Sequence, residues 1–256
     1  MSDLTADLYS PPQTLFIAGA SGDTGRAVLR LAESRVPTIR ALTRSETKRS
    51  MLHEAGADEV VVDDLLNPDD LETALTDVDA IISTVGSTLG DIRSADRFVD
   101  GAGTRALVDT AVSADVDTFC MESAIGVGTG SASPLATVFN TIIGPIQAAK
   151  ADAEAAIRKA PFRHVIIQPG VLTNGPRTDT VTVAETDSDA NLWGTISRAD
   201  VARVLLGALV TPAATNKTFE VTSTPQPMAS ASNTAWQLPA HGNNTDKIPM
   251  SVASTS

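Results

Sequence analysis

One segment near the start constrains the fold of this 256-residue chain more than any other. Thr14–Ala18 is apolar and uncharged, which predicts a strand buried on both faces of a parallel sheet. A glycine-rich turn follows it, and an apolar helical pattern then continues to about Arg35. In such a turn the glycines permit a tight bend, close approach of a pyrophosphate and close helix–strand packing. We therefore predict a dinucleotide site at this turn, whose glycines are Gly19, Gly22 and Gly25. The alternative is a βα turn without a ligand.

The pattern of strand followed by helix continues along the chain. Further strands are predicted at Thr38–Thr43, Glu59–Val62, Ala80–Ser83, Thr118–Met121, Arg163–Gln168 and Lys217–Thr222. Helices are predicted at Ser45–Ala55, from Pro68 to Thr76 with Asn67 as cap, at Phe98–Ser113, at Gln147–Lys159 and from Ser197 onward. This alternation predicts an α/β fold, a doubly wound parallel sheet (Rossmann fold) in a single domain.

Composition divides the chain into three parts. Residues 1–12 form an N-terminal extension, and residues 13–224 form the Rossmann domain with a small substrate-side C-terminal part. Residues 225–256 are rich in Ser, Thr, Asn, Pro and Ala without a periodic pattern, which predicts a flexible tail. Trp236 is the residue that could instead anchor this tail in a groove.

Charge and cysteine content restrict the classes of partner. The net charge of −12 disfavours binding to nucleic acid or to an anionic membrane surface. The sequence lacks an apolar run of the roughly 20 residues that span a bilayer, and its N-terminus does not resemble a signal peptide. Cys120 is the single cysteine, so neither an intrachain disulfide nor a cysteine metal cluster is expected. We expect a cytoplasmic protein with a small-molecule substrate and no metal; self-association stays open.

The end of the second strand distinguishes NADP from NAD. An acidic residue there would accept hydrogen bonds from the adenosine ribose of NAD, but the segment reads Leu42-Thr43-Arg44-Ser45. An arginine at this place can pair with the 2′-phosphate of NADP. Arg44 therefore favours NADP (NADPH) over NAD, and the alternative is a solvated surface arginine.

Six stretches, in order, carry a resemblance to a known family: GASGDTGR with ALTR, VVVDDLLNPDDL, DAIISTVGS, VDGAGTRALVDTA, FCMESAIGVG and ISRADVARVLLGAL. The chain resembles atypical short-chain dehydrogenases/reductases of the NAD(P)H-binding, NmrA-like group, of the flavin reductase (biliverdin-IXβ reductase) type. The resemblance implies that the whole glycine-rich turn binds the cofactor, including Ser21, Asp23 and Thr24. It also implies that Asp64 and Leu65 flank the adenine.

The same resemblance places three residues toward the ribose and nicotinamide. Gly86 would face the cofactor's ribose, and Ser123 would lie beside the nicotinamide. Lys150 stands where the lysine of the Tyr-x-x-x-Lys pair of extended and classical short-chain reductases would be, and it either contacts the cofactor ribose or is a solvated or ion-paired lysine. Ser123 has the alternative role of bonding to nearby backbone. Ser123 and Lys150 are the candidate catalytic residues.

The proton-donating tyrosine of that pair is missing. Ile146 stands four residues before Lys150, and the single tyrosine, Tyr9, precedes the first strand. We therefore expect an NADPH-dependent oxidoreductase that acts on a flavin, a quinone or another conjugated acceptor, with solvent as the proton source. The alternative from another class is a non-catalytic NADP(H)-binding sensor or assembly protein. A sugar-nucleotide epimerase is disfavoured because its chemistry relies on the same tyrosine.

Overall fold

The structure is a computed structural model. It describes residues 9–87, 98–127, 134–178, 180–186, 192–223, 231–232, 236–237, 247–248 and 250–253. The strands are β1 Thr14–Ala18, β2 Thr38–Thr43, β3 Glu59–Val62, β4 Ala80–Ser83, β5 Thr118–Glu122, β6 Arg163–Pro169, β7 Val171–Thr173, β8 Val181–Glu185, β9 Thr195–Ser197, β10 Lys217–Thr222, β11 Ala231–Ser232, β12 Trp236–Gln237, β13 Lys247–Ile248 and β14 Met250–Ala253. The α-helices are α1 Asp23–Ala32, α2 Arg49–Glu54, α3 Leu71–Ala74, α4 Thr104–Ser113, α5 Pro134–Lys159 and α6 Arg198–Val210.

One twisted sheet organises the molecule, as predicted. Its order is β11–β14–β8–β10–β6–β5–β4–β1–β2–β3, and the seven strands from β10 to β3 are parallel to one another, whereas β8 is antiparallel to β10. The chain reverses its direction of winding between β1 and β4. Ligands of doubly wound sheets bind at such a switch point, outside the carboxyl ends of the strands. The fold therefore places the glycine-rich turn after β1 at the expected ligand crevice.

The two faces of the sheet bury separate clusters, because neighbouring side chains of a strand point to opposite faces. Leu15 and Ile17 of β1 belong to the cluster that α1 and α6 cover. Phe16 and Ala18 belong to the opposite cluster, to which α4 and α5 contribute. This alternation also determines which face each residue at the end of β5 contacts.

Helix α2 begins at Arg49 rather than Ser45, and α4 begins at Thr104 rather than Phe98, because a 3-10 turn at Glu46–Lys48 and a π-helical turn at Val99–Gly103 precede them. Two further helices differ from their predicted bounds. The helix predicted from Pro68 begins only at Leu71, because the Asp63 carboxylate accepts the backbone N–H groups of Asp69 and Asp70 and holds the preceding residues in a turn. Asn67 is thus not a helix cap. Helix α5 starts at Pro134 rather than at Gln147 and continues through Pro145, although proline removes one helical hydrogen bond.

Composition predicts a flexible tail for the C-terminal segment, but the residues described there, 231–232, 236–237, 247–248 and 250–253, all lie in paired strands. Strand β14 pairs in parallel with β8 and extends the main sheet, and β12 pairs with β13. Trp236 is 1% exposed, and its ring meets Phe219 edge-on at a centroid distance of 4.9 Å. The physical reason for the difference is that one large aromatic side chain and edge-strand pairing anchor the segment without any periodic apolar pattern.

Candidate dinucleotide-binding site

The glycine-rich turn is shaped by close backbone contacts. Gly19 has a φ of 75°, and a Cβ on it would lie 2.7 Å from the backbone of Thr84. The N–H of Gly22 donates to the Gly19 carbonyl at 2.9 Å, and a Cβ on Gly25 would lie 2.7 Å from Cα of Ala20. Helix α1 then begins at Asp23, and none of the described side chains caps it. The turn therefore aims uncapped helix N–H groups outward, as anion binding requires.

A cleft of about 230 Å³ lies over this turn and extends toward β2 and β3. It is lined by many of the residues predicted for the cofactor together with neighbours that were not: Gly19, Ser21, Gly22, Leu42, Thr43, Arg44, Lys48, Asp63, Leu65, Thr84, Val85, Gly86 and Val99. The structure thus brings together the predicted residues after β1, β2, β3 and β4 at one edge of the sheet.

The remaining predicted cofactor residues support the turn or lie beside the cleft. Asp23 pairs with Arg26 at 2.5 Å, and Thr24 is buried. Asp64 accepts the N–H of Leu66 at 3.0 Å within its own turn, and it is Asp63 that lines the cleft beside Leu65. The sequence does not distinguish these two aspartates, because they are adjacent and of the same residue type.

Two cations border the cleft beyond the end of β2. Arg44 is exposed, and the Lys48 ammonium donates to Ser21 Oγ at 3.3 Å, so Lys48 reaches across to the glycine-rich turn. Among the described residues, neither cation forms an ion pair with a carboxylate. Sequence reasoning missed Lys48, which lies four residues after Arg44 at the end of the short 3-10 turn Glu46–Lys48 that follows β2.

Ser123 lies directly after β5, but its hydroxyl is engaged within the protein. It donates to Glu154 Oε1 at 2.6 Å, and Gln168 donates to the same oxygen at 2.8 Å. Arg158 donates to the other carboxylate oxygen at 2.7 Å. Ser123 is therefore one member of a buried polar network between β5, β6 and α5, and it is only 4% exposed.

Lys150 on α5 is ion-paired, which is the second of the two roles considered for it. Its ammonium lies 2.9 Å from Asp100 Oδ1, and Asp100 is fully buried. The other oxygen of Asp100 accepts the N–H of Ser87 at 2.7 Å. Because Ser87 follows Gly86, the pair lies behind the cofactor's predicted ribose position.

Glu122, the last residue of β5, is a site residue that sequence reasoning did not select. It is 7% exposed, and the Thr24 hydroxyl of the glycine-rich turn donates to its Oε1 at 3.1 Å. Burial raises the pKa of Glu122 to about 7, against the opposing effects of the Lys150 charge, the Thr24 hydrogen bond and the Arg198 charge. The sequence signal that could have identified Glu122 was an acidic residue at the end of an otherwise apolar strand.

Tyr9 lies at the opposite edge of the sheet. Its N–H donates to the Val210 carbonyl, its hydroxyl is 3.3 Å from Thr215 Oγ1, and the Arg163 guanidinium lies 4.3 Å from its ring centre. Arg163 begins β6, so this contact is at the amino end of the strands, away from the cleft. Tyr9 and the glycine-rich turn therefore do not meet within one copy of the chain.

The described residues form neither a metal-binding cluster nor a membrane-spanning helix. In the part of the chain that the structure describes, no group of three or more His, Cys, Asp or Glu side chains is arranged to hold a metal ion. None of the helices within the same residues is both long and apolar enough to cross a bilayer.

Residues 19–212 match the family described as NAD(P)H-binding, and the chain belongs to that family. A Bacillus subtilis protein described as an uncharacterized sugar epimerase, YhfK, is 30% identical over 85% of this chain and 97% of its own length. The photosystem II assembly factor Ycf39 of Cyanophora paradoxa is 26% identical over 82% of this chain and 64% of its own length. The anaerobillin reductase ChuY from Escherichia coli O157:H7 shares the fold, with a TM-score of 0.71, 21% identity and coverage of 84% of this chain and 100% of that chain.

Proposed function

We propose that this member of the NAD(P)H-binding family is an NADPH-dependent oxidoreductase that reduces a flavin, a quinone or another conjugated acceptor. The observation that carries the proposal is the cleft over the glycine-rich turn, with Arg44 and Lys48 at its border. The name of the structural neighbour ChuY, a reductase, agrees with this class of reaction.

The residues present fit a bound dinucleotide phosphate. The backbone N–H groups at the start of α1 would hold the pyrophosphate, because they form an uncapped positive helix end. Arg44 and Lys48 would hold the 2′-phosphate, since both are cations without a carboxylate partner among the described residues. Leu65 and Asp63 would border the adenine. When bound, NADPH supplies the hydride, and the chain positions it.

The acceptor class follows from the missing tyrosine. Ile146 cannot donate a proton to a substrate oxygen, and Tyr9 lies at the other edge of the sheet. A conjugated acceptor takes a hydride at a carbon or nitrogen that is already electron-poor, so it depends less on an oxygen-protonating acid than an isolated carbonyl does. For the same reason, we do not propose the epimerase activity that is attributed to YhfK.

The cofactor preference can be measured by titration calorimetry with NADPH and NADH. We expect tighter binding of NADPH, and Arg44→Ala should remove a charge-assisted pair worth roughly 1.5–3 kcal/mol. Lys48→Ala should weaken NADPH binding in the same direction, whereas neither variant should alter NADH binding. Arg30→Ala, on the exposed side of α1, is the matched control and should leave both affinities unchanged. Equal affinities of the unmutated protein for NADPH and NADH would contradict the preference.

Turnover can be measured by following NADPH absorbance with a panel of flavins, quinones and conjugated carbonyls. Oxidation of NADPH with at least one of them is the expected result. A second candidate function, an NADP(H)-dependent assembly or sensor protein, is favoured by the similarity to Ycf39, an assembly factor. Tight NADPH binding without turnover of any acceptor would support that candidate and contradict the oxidoreductase.

A further inference from the structure

Next to the glycine-rich turn, at the carboxyl edge of the sheet, lies a buried carboxyl group for which the proposed function has so far given no role. Glu122 ends β5 at the carboxyl edge of the sheet, which is the edge where doubly wound folds bind their ligands. Its side chain points to the α1 face, whereas the next residue, Ser123, faces α5. The hydrogen bond from Thr24 attaches Glu122 directly to the glycine-rich turn.

The two side chains that the family resemblance places near the nicotinamide, Ser123 and Lys150, already bind other groups of the protein. The Ser123 hydroxyl donates a hydrogen bond to Glu154, and the Lys150 ammonium forms an ion pair with Asp100. Among the described residues at this end of β5, Glu122 is thus the titratable side chain that does not have a basic partner within ion-pairing distance.

Two cations and one hydroxyl group, each from a different helix, act on this carboxyl group. Lys150 of α5 and Arg198 of α6 both favour its ionised form, as does the Thr24 hydroxyl of α1. Each cation is itself shared with an acid, because Lys150 pairs with Asp100 and the Arg198 guanidinium lies 4.0 Å from Asp23. Burial favours the neutral acid, so the two effects oppose each other and the group can exchange a proton near neutral pH.

We propose that Glu122 is the general acid of the reduction, replacing the absent tyrosine by protonating the acceptor at the end of β5, beside the glycine-rich turn. This inference rests on the proposed oxidoreductase function and changes its proton source from solvent to a side chain. The hydride of NADPH adds to the acceptor, the O–H bond of the Glu122 carboxyl breaks, and its proton joins the reduced acceptor. The carboxylate then takes a proton from water, so the sum is NADPH, acceptor and H⁺ giving NADP⁺ and the dihydro-acceptor.

The test is the pH profile of kcat at saturating NADPH and quinone, with the quinone on which the protein turns over. The wild-type rate should fall as pH rises through about 7, as the acid form of Glu122 is lost. Glu122→Gln should lower kcat by about 10²-fold or more at pH 6 and flatten the profile, with NADPH affinity retained. Glu220→Gln is the matched control, because Glu220 is also buried with a raised pKa but lies on β10, two strands from β5. It should keep the wild-type rate and profile.

A second variant keeps the inference testable if the Glu122→Gln protein folds poorly. Thr24→Val removes the hydrogen bond that favours the carboxylate, so the midpoint of the profile should move upward by up to about one pH unit. Turnover by Glu122→Gln at a rate within about threefold of wild type, with an unchanged profile, would overturn the inference and leave the oxidoreductase proposal intact. A Thr24→Val midpoint at the wild-type pH would do the same. Absence of any wild-type turnover would overturn both proposals.

Discussion

The ammonium of Lys150 lies 2.9 Å from the carboxylate of Asp100, and that carboxylate is fully buried. The pair joins α5 to the turn that precedes α4, and through the N–H of Ser87 it also holds the loop after β4. Lys150 therefore supports the wall of the cleft at Gly86, whether or not its ammonium reaches the cofactor ribose.

The first prediction concerns this ion pair. Lys150→Met should lower the free energy of unfolding by about 3–5 kcal/mol, because it leaves the Asp100 carboxylate buried without its counter-charge. Urea denaturation measures the loss. Adding Asp100→Asn to the Lys150→Met protein should recover most of it, since the buried charge is then absent. Lys159→Met, at the exposed end of the same helix, should change stability by less than about 0.5 kcal/mol. A double variant no more stable than Lys150→Met would refute the explanation.

The core of the fold could be predicted because its strands carry their own signal. Strands such as β1 and β4 are short, apolar and bounded by turn residues, and these properties depend on the local sequence alone. Strands β7 and β9 were not predicted because they have three residues each, and β8 was not predicted because it mixes polar with apolar residues. All three derive their stability from pairing with other segments of the chain. Pairing partners far apart in sequence leave no local pattern.

In the candidate site, too, some residues could be predicted from the local sequence and others depend on contacts between distant segments. The position of Arg44 after β2 follows from strand order, so its place at the cleft could be predicted. The partner of Ser123 could not, because Glu154 reaches it from a helix 31 residues later. The raised pKa of Glu122 depends on its burial and on the nearby charges of Lys150 and Arg198, and none of these can be read from the spacing of residues in the sequence.

The second prediction concerns the pH dependence of stability without cofactor. The pKa of Glu122 is raised in the folded protein from 4.5 to about 7, so the folded state holds this proton more tightly than the unfolded state. The free energy of unfolding should therefore fall as pH rises from about 4.5 to about 7, by on the order of 3 kcal/mol from this group. Glu122→Gln should remove this part of the dependence and be more stable than wild type at pH 8. Chemical denaturation at a series of pH values measures it, with the exposed Glu72→Gln as control. The same slope in Glu122→Gln and wild type would contradict the raised pKa.

The third prediction concerns the C-terminal segment. Trp236→Ala should cost about 3–5 kcal/mol, because the indole is buried against Phe219 and its removal leaves a cavity beside α6. Deletion of residues 226–256 should likewise lower Tm, in contrast to the expectation from composition. Trp193→Ala provides the control, since Trp193 is 66% exposed and should cost less than about 1 kcal/mol. Thermal denaturation of the three variants tests this prediction. A deletion variant with the wild-type Tm would contradict it and support the prediction of a flexible tail.

The last prediction concerns Tyr9, the single tyrosine of the chain. Tyr9→Phe should leave kcat for the acceptor unchanged, because the tyrosine hydroxyl contacts Thr215 at the amino end of the strands, while the proposed hydride transfer would take place at their carboxyl end. Its effect on stability should also be small, since the ring still lies over the Arg163 guanidinium. Tyr9→Ala, which removes that cation–π contact, should cost about 0.5–2 kcal/mol and still leave kcat unaltered. The two variants thus separate a structural role from a chemical one, with steady-state kinetics and denaturation measured on the same preparations. A collapse of kcat in Tyr9→Phe at unchanged stability would mean that Tyr9 enters the cleft of a second copy of the chain, and the general acid would then have to be sought in that tyrosine rather than in Glu122.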